Sequence, residues 1–135
     1  MALTTPEGKL IVDLEAFLSS AQEQTSAVAE HMHICLRLFD RKQRAYSSQN
    51  IAVFGDKGIL IRLFDKLYRL KTLYENEENP DWETIDDTWR DVCNYAAMAL
   101  TCRAGQWEGY DPPLQHVLYG RLSSGLCIKY DPERD

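Results

Sequence analysis

Three cationic residues in the middle of the chain follow one another at helical spacing. Arg62, Lys66 and Arg69 are four and three residues apart, so on an α-helix their side chains share one face. Guanidinium and ammonium groups arranged in this way can bind the oxygen atoms of a phosphate. Asp65 lies among them and could instead neutralise Arg62 and Arg69 in a surface ion-pair network that adds little stability. The spacing therefore predicts either a phosphate-binding face or a solvated charged surface.

A second polar row, further along the chain, carries carboxylates. Asp87 and Asp91 are one helical turn apart, with Asn94 a turn further on, and carboxylate oxygens are ligands that Mg²⁺ prefers. Asp86 and Asp87 have an alternative role as helix caps, because Thr84 and Asp87 resemble the two ends of a capping box. Asp91 lies deeper in the predicted helix, where capping does not account for it. Asp91 is therefore the strongest single candidate for a functional carboxylate.

Other familiar sites are not indicated by the sequence. His31 and His33 are two residues apart, so on a helix they point about 200° apart and cannot bind one metal ion together. The sequence contains no phosphate-binding glycine loop, no H-E-x-x-H motif and no G-x-S-x-G motif. Several aromatic residues near chain breaks or polar rows could stack on a nucleotide base, although such residues more often cover a core. They are Tyr46, Phe54, Tyr95, Trp107 and Tyr110.

Composition and charge limit the class of protein. The chain has 135 residues, of which 44% are hydrophobic, so we expect a single domain over residues 1–135 with one core. The net charge of -6 argues against a protein that coats nucleic acid. Residues 31–72 carry a net charge of +6 and residues 73–93 a net charge of -7. This division fits either two solvated helix faces of opposite sign or a site where cations hold phosphate and carboxylates hold a metal.

The sequence also predicts a cytoplasmic protein. No apolar run approaches the roughly 20 residues that span a bilayer, and residues 1–9 lack the basic start and apolar block of a signal peptide. Cys35, Cys93, Cys102 and Cys127 form no C-x-x-C pair. We therefore expect reduced, mostly buried thiols.

Hydrophobic periodicity predicts four helices. Apolar residues recur at the three- and four-residue steps of amphipathic helices in four segments. These segments are Pro6 to Ser20, about Thr25 to Ala45, Ile59 to about Tyr74, and about Asp81 to Cys102. Residues 46–58 are predicted to form a loop because turn formers and two glycines fill them. After Gly105 we expect short pieces, with a short helix at about 113–120 and an extended stretch at Leu126 to Tyr130.

The predicted architecture is an all-α fold. We expect a compact bundle of about four helices, with a helical core at about residues 8–104 and an irregular C-terminal segment at residues 105–135. The first helix is expected to pack on the core, and each later helix has an apolar stripe that would face it. The stripes are Val28, Met32, Cys35, Leu36 and Phe39 in the second helix, Leu60, Leu63, Leu67, Leu70 and Tyr74 in the third, and Ile85, Trp89, Val92, Ala96 and Ala99 or Leu100 in the fourth.

Three ordered elements of the sequence resemble a known family. They are Lys42-x-x-x-Tyr46, the run Gly58-Ile59-Leu60-Ile61-Arg62-Leu63-Phe64-Asp65-Lys66-Leu67-Tyr68-Arg69-Leu70, and Asp87-Thr88-x-x-Asp91-Val92-x-Asn94-Tyr95-Ala96. This pattern resembles the nucleotide modification associated domain type 1 of phages and bacteria, over about residues 27–100. The resemblance implies a protein that acts on nucleotides, in the host cytoplasm if a phage encodes it.

The pattern is similar, more distantly, to the all-α nucleoside triphosphate pyrophosphatases of the MazG type. In those enzymes carboxylates on adjacent helices hold Mg²⁺, and the products are a nucleoside monophosphate and pyrophosphate. They carry an E-E-x-x-E motif on the helix before the acidic one, whereas the second helix here has Ala29-Glu30-His31-Met32-His33, a stretch with just one carboxylate. The resemblance therefore implies a magnesium site of Glu30, Asp87 and Asp91, with fewer ligands than those enzymes have.

Our leading hypothesis is a nucleotide-binding protein of nucleotide metabolism or modification. If it is catalytic, Asp91 and Asp87 would support the attack of water on a phosphoanhydride with Mg²⁺ as cofactor, which is nucleoside triphosphate pyrophosphohydrolase chemistry. The predicted phosphate-binding residues are Lys42, Arg62, Lys66 and Arg69, and the predicted base- and sugar-binding residues are Tyr46, Asn94 and Tyr95.

Two alternatives stay open. A non-catalytic phage-type protein could sequester a nucleotide or serve as an accessory subunit, using the same cations without a metal. An interaction module could instead present its charged helices to a protein partner. For a nucleotide-binding protein we expect a homo-oligomer, because Ile61, Phe64 and Tyr68 add apolar surface to further sides of the third helix. We expect no membrane and no extended nucleic acid as partners.

Overall fold

The computed structural model describes the backbone of residues 6–113 and the side chains of residues 13–113. This part of the chain contains five helices and no strand, so the predicted all-α fold is confirmed. The helices are α1 (Pro6–Ser20), α2 (Glu23–Tyr46), α3 (Gln49–Ala52), α4 (Gly55–Asn76) and α5 (Ile85–Arg103). The predicted short helix at about 113–120, the stretch Leu126 to Tyr130 and Cys127 lie outside the described residues. No helix in the described region is long and apolar enough to span a membrane.

Helices α4 and α5 form an antiparallel pair that is the centre of the fold. The turn between them is organised by its own polar groups: Glu77 adopts a left-handed conformation (φ 52°) and its N–H donates to carbonyl oxygens of the last turn of α4. The Asn79 side chain accepts a hydrogen bond of 2.9 Å from the Ile85 N–H. Thr84 then caps α5. These contacts satisfy backbone groups that helix ends leave unpaired, so the turn fixes how α4 and α5 face each other.

The core lies where α2 crosses α5 and where the chain after α5 returns to α3. Ile51, Ile59, Cys102 and Trp107 are buried together, with partly buried side chains of α2, α4 and α5 packed around them. Cys35, Cys93 and Cys102 are free thiols, in agreement with the prediction. Burial, with Asp56 nearby, raises the pKa of Cys102 to about 11, so this thiol is protonated at neutral pH.

The core stripe of α4 agrees with the predicted one at only two of its five positions. Ile59 and Leu73 are buried, whereas the neighbouring Leu60, Leu67 and Tyr74 are 47–55% exposed. Leu63 and Leu70 were predicted correctly. Positions 59 and 60 are both apolar, so periodicity alone could not select between the two rows.

Parts of the other predicted stripes are also exposed. In α2, Cys35 is buried, but Val28, Met32 and Leu36 are 51–64% exposed. In α5 the fully buried side chains are Thr88 and Cys102, and the predicted core residues Trp89, Ala96 and Leu100 are exposed. The prediction that α1 packs on the core is wrong for its described side chains, because residues 13–20 are all exposed. A core this small leaves much apolar surface in contact with water.

Candidate functional site

A cavity of about 320 Å³ opens between α2, α4 and α5, with α3 at its edge. Its wall combines cationic, amide, aromatic and aliphatic side chains with a single carboxylate. The lining residues are Lys42, Arg62 and Lys66; Asp91; Gln43, Asn50 and Asn94; Phe39, Tyr46 and Tyr95; and Ile51 and Met98. The cavity therefore brings together seven of the residues that the sequence singled out, from three different helices.

Asp91 is held between two lysines in the lining of this cavity. Lys42 Nζ lies 2.7 Å from Oδ1 and Lys66 Nζ lies 2.9 Å from Oδ2, and the aspartate side chain is only 13% exposed. Burial raises the pKa of Asp91, but the hydrogen bonds from Lys42 and Lys66 outweigh burial and hold the pKa below its ordinary value. Asp91 is thus an ionised carboxylate that positions two ammonium groups.

Lys66 links the cavity to the turn between α4 and α5. Its Nζ also donates to Glu83 Oε1 at 2.7 Å. Burial lowers the pKa of Lys66, but hydrogen bonds to Glu83 and Asp91 outweigh burial and raise the pKa above its ordinary value. The ammonium group is therefore permanently charged at neutral pH.

Arg62 differs from the two lysines. It lines the cavity and is exposed, and within residues 13–113 it forms no ion pair. Asp65, which the sequence offered as its neutralising partner, is likewise in no ion pair within that range. Arg62 therefore keeps its planar set of donors available to a ligand.

Arg69 shares a face with Arg62 and Lys66 but does not line the cavity. Its guanidinium donates to Thr88 Oγ1 and to the carbonyl oxygen of Glu83, and its Cζ lies 5.1 Å from the ring centre of Trp82. Through these contacts Arg69 connects α4 to the turn before α5 and to the first turn of α5 itself. Arg69 was predicted to bind phosphate, but here its donors contact Thr88 and Glu83 and it lies outside the cavity lining.

Two of the three predicted metal-ligating carboxylates lie away from the cavity. Asp87 completes the capping box of α5: its Oδ2 accepts from the Thr84 N–H at 2.9 Å, and its own N–H donates to Thr84 Oγ1 at 3.0 Å. Glu30 is exposed and lies twelve residues before Lys42, which is about 18 Å along α2. Among the described residues, no three His, Cys, Asp or Glu side chains are grouped so that they could hold a metal ion. Glu30, Asp87 and Asp91 are thus not grouped together in the described residues, and magnesium as a cofactor stays a prediction.

The edge of the cavity depends on a segment that sequence reasoning did not connect with it. Trp107 Nε1 donates to the Ser48 carbonyl oxygen at 3.0 Å. Ser48 directly precedes α3, of which Asn50 and Ile51 line the cavity. The Trp107 ring meets the Phe39 ring edge to face, with the ring centres 6.0 Å apart. Residues 104–110 therefore fix α3 against α2. Asn50 and Ile51 carried no signal in the sequence because this contact joins residues 59 positions apart.

The chain matches no protein-family model, no curated protein and no solved structure. The structure defines an all-α protein with a mixed cationic and aromatic cavity. The resemblance to nucleotide modification associated domains stays a prediction.

The contacts of Asp91 with Lys42 and Lys66 predict how the free energy of unfolding depends on pH. A carboxyl group whose pKa is lowered by folding stabilises the protein above its unfolded pKa of about 3.9, and this stabilisation is lost as the pH falls through the folded pKa. Asp91→Asn is expected to lower the free energy of unfolding by about 2 kcal/mol at pH 7, and by less as the pH falls from 4 to 2. Urea titrations monitored by circular dichroism measure both.

The matched control for this prediction is Asp40→Asn. Asp40 also pairs with a cation, Arg44, at 2.8 Å, but its side chain is 64% exposed. This substitution is expected to change stability by less than about 0.5 kcal/mol. Equal effects of the two substitutions would show that the Asp91 contacts do not stabilise the fold.

Proposed function

We propose that this protein binds a nucleotide in the cavity between α2, α4 and α5. The observation that carries the proposal is that one cavity places three cations, two tyrosines and three side-chain amides around a space of about 320 Å³. Volumes of roughly 300–1,000 Å³ are usual for small-molecule sites. The cavity is therefore large enough for a mononucleotide.

The charges of the wall favour phosphate. Lys42, Arg62 and Lys66 face one carboxylate, Asp91, so the lining carries a net charge of +2. Each lysine has three donors, and the contacts with Asp91 and Glu83 leave at least one of them unused on each lysine. Arg62 adds a guanidinium with no ion pair in the described region, which suits bidentate binding of phosphate oxygens.

The remaining wall suits a nucleobase. Tyr46 and Tyr95 offer aromatic rings for stacking, which is tolerant of base identity. Gln43, Asn50 and Asn94 each provide both a donor and an acceptor for the edge of a base or the hydroxyls of a sugar.

The geometry favours a binder over a hydrolase. Asp91 is the only carboxylate in the lining of the cavity, and both of its oxygens contact lysine ammonium groups. Such a carboxylate is neither a free general base nor an open metal ligand. We therefore favour the non-catalytic alternative, and magnesium-dependent pyrophosphohydrolysis stays a prediction from the sequence.

Nucleotide binding is tested by substituting the available cation. Calorimetric titration with ribo- and deoxyribonucleoside mono-, di- and triphosphates is expected to show binding, and Arg62→Ala is expected to weaken it about 10- to 100-fold, since a charge-assisted hydrogen bond contributes about 1.5–3 kcal/mol. The melting temperature without ligand should not change, because Arg62 is exposed and outside the ion pairs described.

Arg37→Ala is the control for this substitution. Arg37 lies on an exposed face of α2 away from the cavity lining, so its loss should leave nucleotide affinity unchanged. Absence of binding by every nucleotide, or equal effects of the two substitutions, would refute the proposal. Assays of phosphate and pyrophosphate release with Mg²⁺ separate the two activities: release that disappears in Asp91→Asn would establish hydrolysis, and binding without release would establish a binder.

A further inference from the structure

Helix α4 has a second apolar face on the side opposite its core stripe. Its inner face carries the buried Ile59, Leu70 and Leu73. Its outer face carries five large apolar side chains that are 47–67% exposed: Leu60, Ile61, Phe64, Leu67 and Tyr68. A helix that is apolar on opposite sides is normally buried on both. None of these five residues lines the nucleotide cavity.

The outer face has the spacing of a helix-to-helix seam. Along α4, six residues follow one another at steps of four, three, four, three and four, which is the alternation of a heptad seam. They are Lys57, Ile61, Phe64, Tyr68, Lys71 and Glu75. Leu60 and Leu67, one heptad apart, lie beside this row. The apolar residues occupy its middle, and charged residues occupy both ends.

We propose that a second copy of this chain covers the outer face of α4, with the two α4 helices packed antiparallel around a twofold axis. The ends of the row are self-complementary in this arrangement. Lys57 and Glu75 lie nine residues before and nine residues after position 66, so an axis at that level brings each opposite the other in the second copy. Phe64 is then opposite Tyr68 by the same symmetry. Such isologous contact is the usual geometry of a homodimer.

The exposed apolar area is of the size that a dimer needs. Aromatic side chains bury roughly 150–250 Å² each when fully covered, and the leucine and isoleucine side chains somewhat less. The five side chains at about half exposure therefore offer roughly 500 Å² per copy. Two copies then bury roughly 1,000 Å², which is near the lower limit for specific interfaces. The stems of Lys57 and Lys71 add to this area. An exposed patch of this size is also at the upper end of what monomers show.

Sedimentation equilibrium of the full chain between about 1 and 100 µM tests the proposal. We expect a dimer for the wild-type protein and a monomer for Phe64→Asp, with unchanged helical circular dichroism because Phe64 is 57% exposed in a single copy. Leu100→Asp is the control, since Leu100 is 68% exposed on α5 outside this face. A monomeric wild-type protein, or a dimer that persists in Phe64→Asp, would overturn the proposal.

Charge reversal tests the antiparallel orientation. Lys57→Glu places glutamates opposite each other at both ends of the seam, and Glu75→Lys does the same with lysines, so each variant should raise the dimer dissociation constant about tenfold. A mixture of the two variants should form a heterodimer with an affinity near that of the wild type, because each end again pairs a glutamate with a lysine. Loss of the Lys71–Glu75 pair is a minor effect, since both side chains are at least 60% exposed.

Single reversals that leave the dimer unchanged would exclude the antiparallel seam. In a parallel pair each residue would face the same residue of the other copy, so like charges would be opposite each other before and after the reversal. Weakened single variants that do not restore each other on mixing would also exclude it. Nucleotide titration of the monomeric Phe64→Asp variant tests the proposed function independently of the dimer, because Phe64 does not line the cavity.

Discussion

Replacing Trp107 by alanine is expected to lower the free energy of unfolding by about 3–5 kcal/mol, the usual range for deleting a buried tryptophan. Trp107 is 7% exposed and it contacts two elements at once. Its ring packs on Phe39 of α2, and its Nε1 donates to the carbonyl oxygen of Ser48 before α3. Removing the side chain leaves a cavity in the core and an unpaired carbonyl group beside it.

A conservative substitution separates the two contributions of this side chain. Trp107→Phe keeps most of the packing and loses the hydrogen bond, so it should cost about 1 kcal/mol plus a smaller packing term. Urea unfolding monitored by circular dichroism measures both variants. A cost below about 1 kcal/mol for Trp107→Ala would mean that residues 104–110 do not pack on α2 and α3 as described.

Replacing Gly55 by alanine is expected to cost about 2–4 kcal/mol. Gly55 begins α4 with φ at +60°, and an added Cβ would clash with Cζ and Cε2 of the Tyr110 ring. The left-handed conformation costs a non-glycine residue about 1–2 kcal/mol. Moving the Tyr110 ring also breaks its 3.0 Å hydrogen bond to Asp56 Oδ1, which adds about 1 kcal/mol.

A double-mutant cycle distinguishes the backbone cost from the steric cost. In a Tyr110→Ala background the ring is absent, so Gly55→Ala should cost only the backbone contribution of about 1–2 kcal/mol. Thermal and urea unfolding of the four proteins provide the cycle. If Gly55→Ala has the same cost in both backgrounds, Tyr110 does not cover Gly55 in solution.

The helices were predictable because apolar residues recur at three- and four-residue steps within each segment, and this spacing is a local property of the sequence. The predicted second helix, from about Thr25 to Ala45, differs from α2 by two residues at its start and one at its end. The start of α4 was missed because Gly55 and Gly58 indicate a loop, whereas here Gly55 begins the helix and Gly58 lies within it. Glycine indicates backbone freedom, which the φ of +60° at residue 55 requires, and the Tyr110 ring adds a separate steric reason for the absence of a side chain there.

The choice of core face was less predictable than the helices themselves. In α4, Leu60 and Leu67 recur at helical spacing just as Ile59 and Leu70 do, so the hydrophobic pattern alone is compatible with burial of either face. Contacts with α5 and α3 select the face that is buried within one chain. The second face keeps the same apolar character, which agrees with the proposed contact between copies.

The candidate site was predictable where helical spacing alone determines position. Arg62 and Lys66 share a face, as do Asp91 and Asn94, and all four line the cavity. Arg69 lies on the same face as Lys66 but one turn further on, where Thr88 and Glu83 occupy its donors. Such competition between partners depends on how α4 and α5 meet, and periodicity does not contain that information.

The return of residues 104–110 to α3 also has a consequence for the order in which the protein is made. A nascent chain that has reached Arg103 already contains all five described helices, and the α4–α5 hairpin can form from neighbouring sequence alone. Trp107 and Tyr110 have not yet been added, so the hydrogen bond from Trp107 to Ser48 before α3 and the hydrogen bond from Tyr110 to Asp56 of α4 are still missing. The α4–α5 hairpin can therefore form before α3 is fixed, and the edge of the cavity is completed only when residues 104–110 pack against α2 and α3.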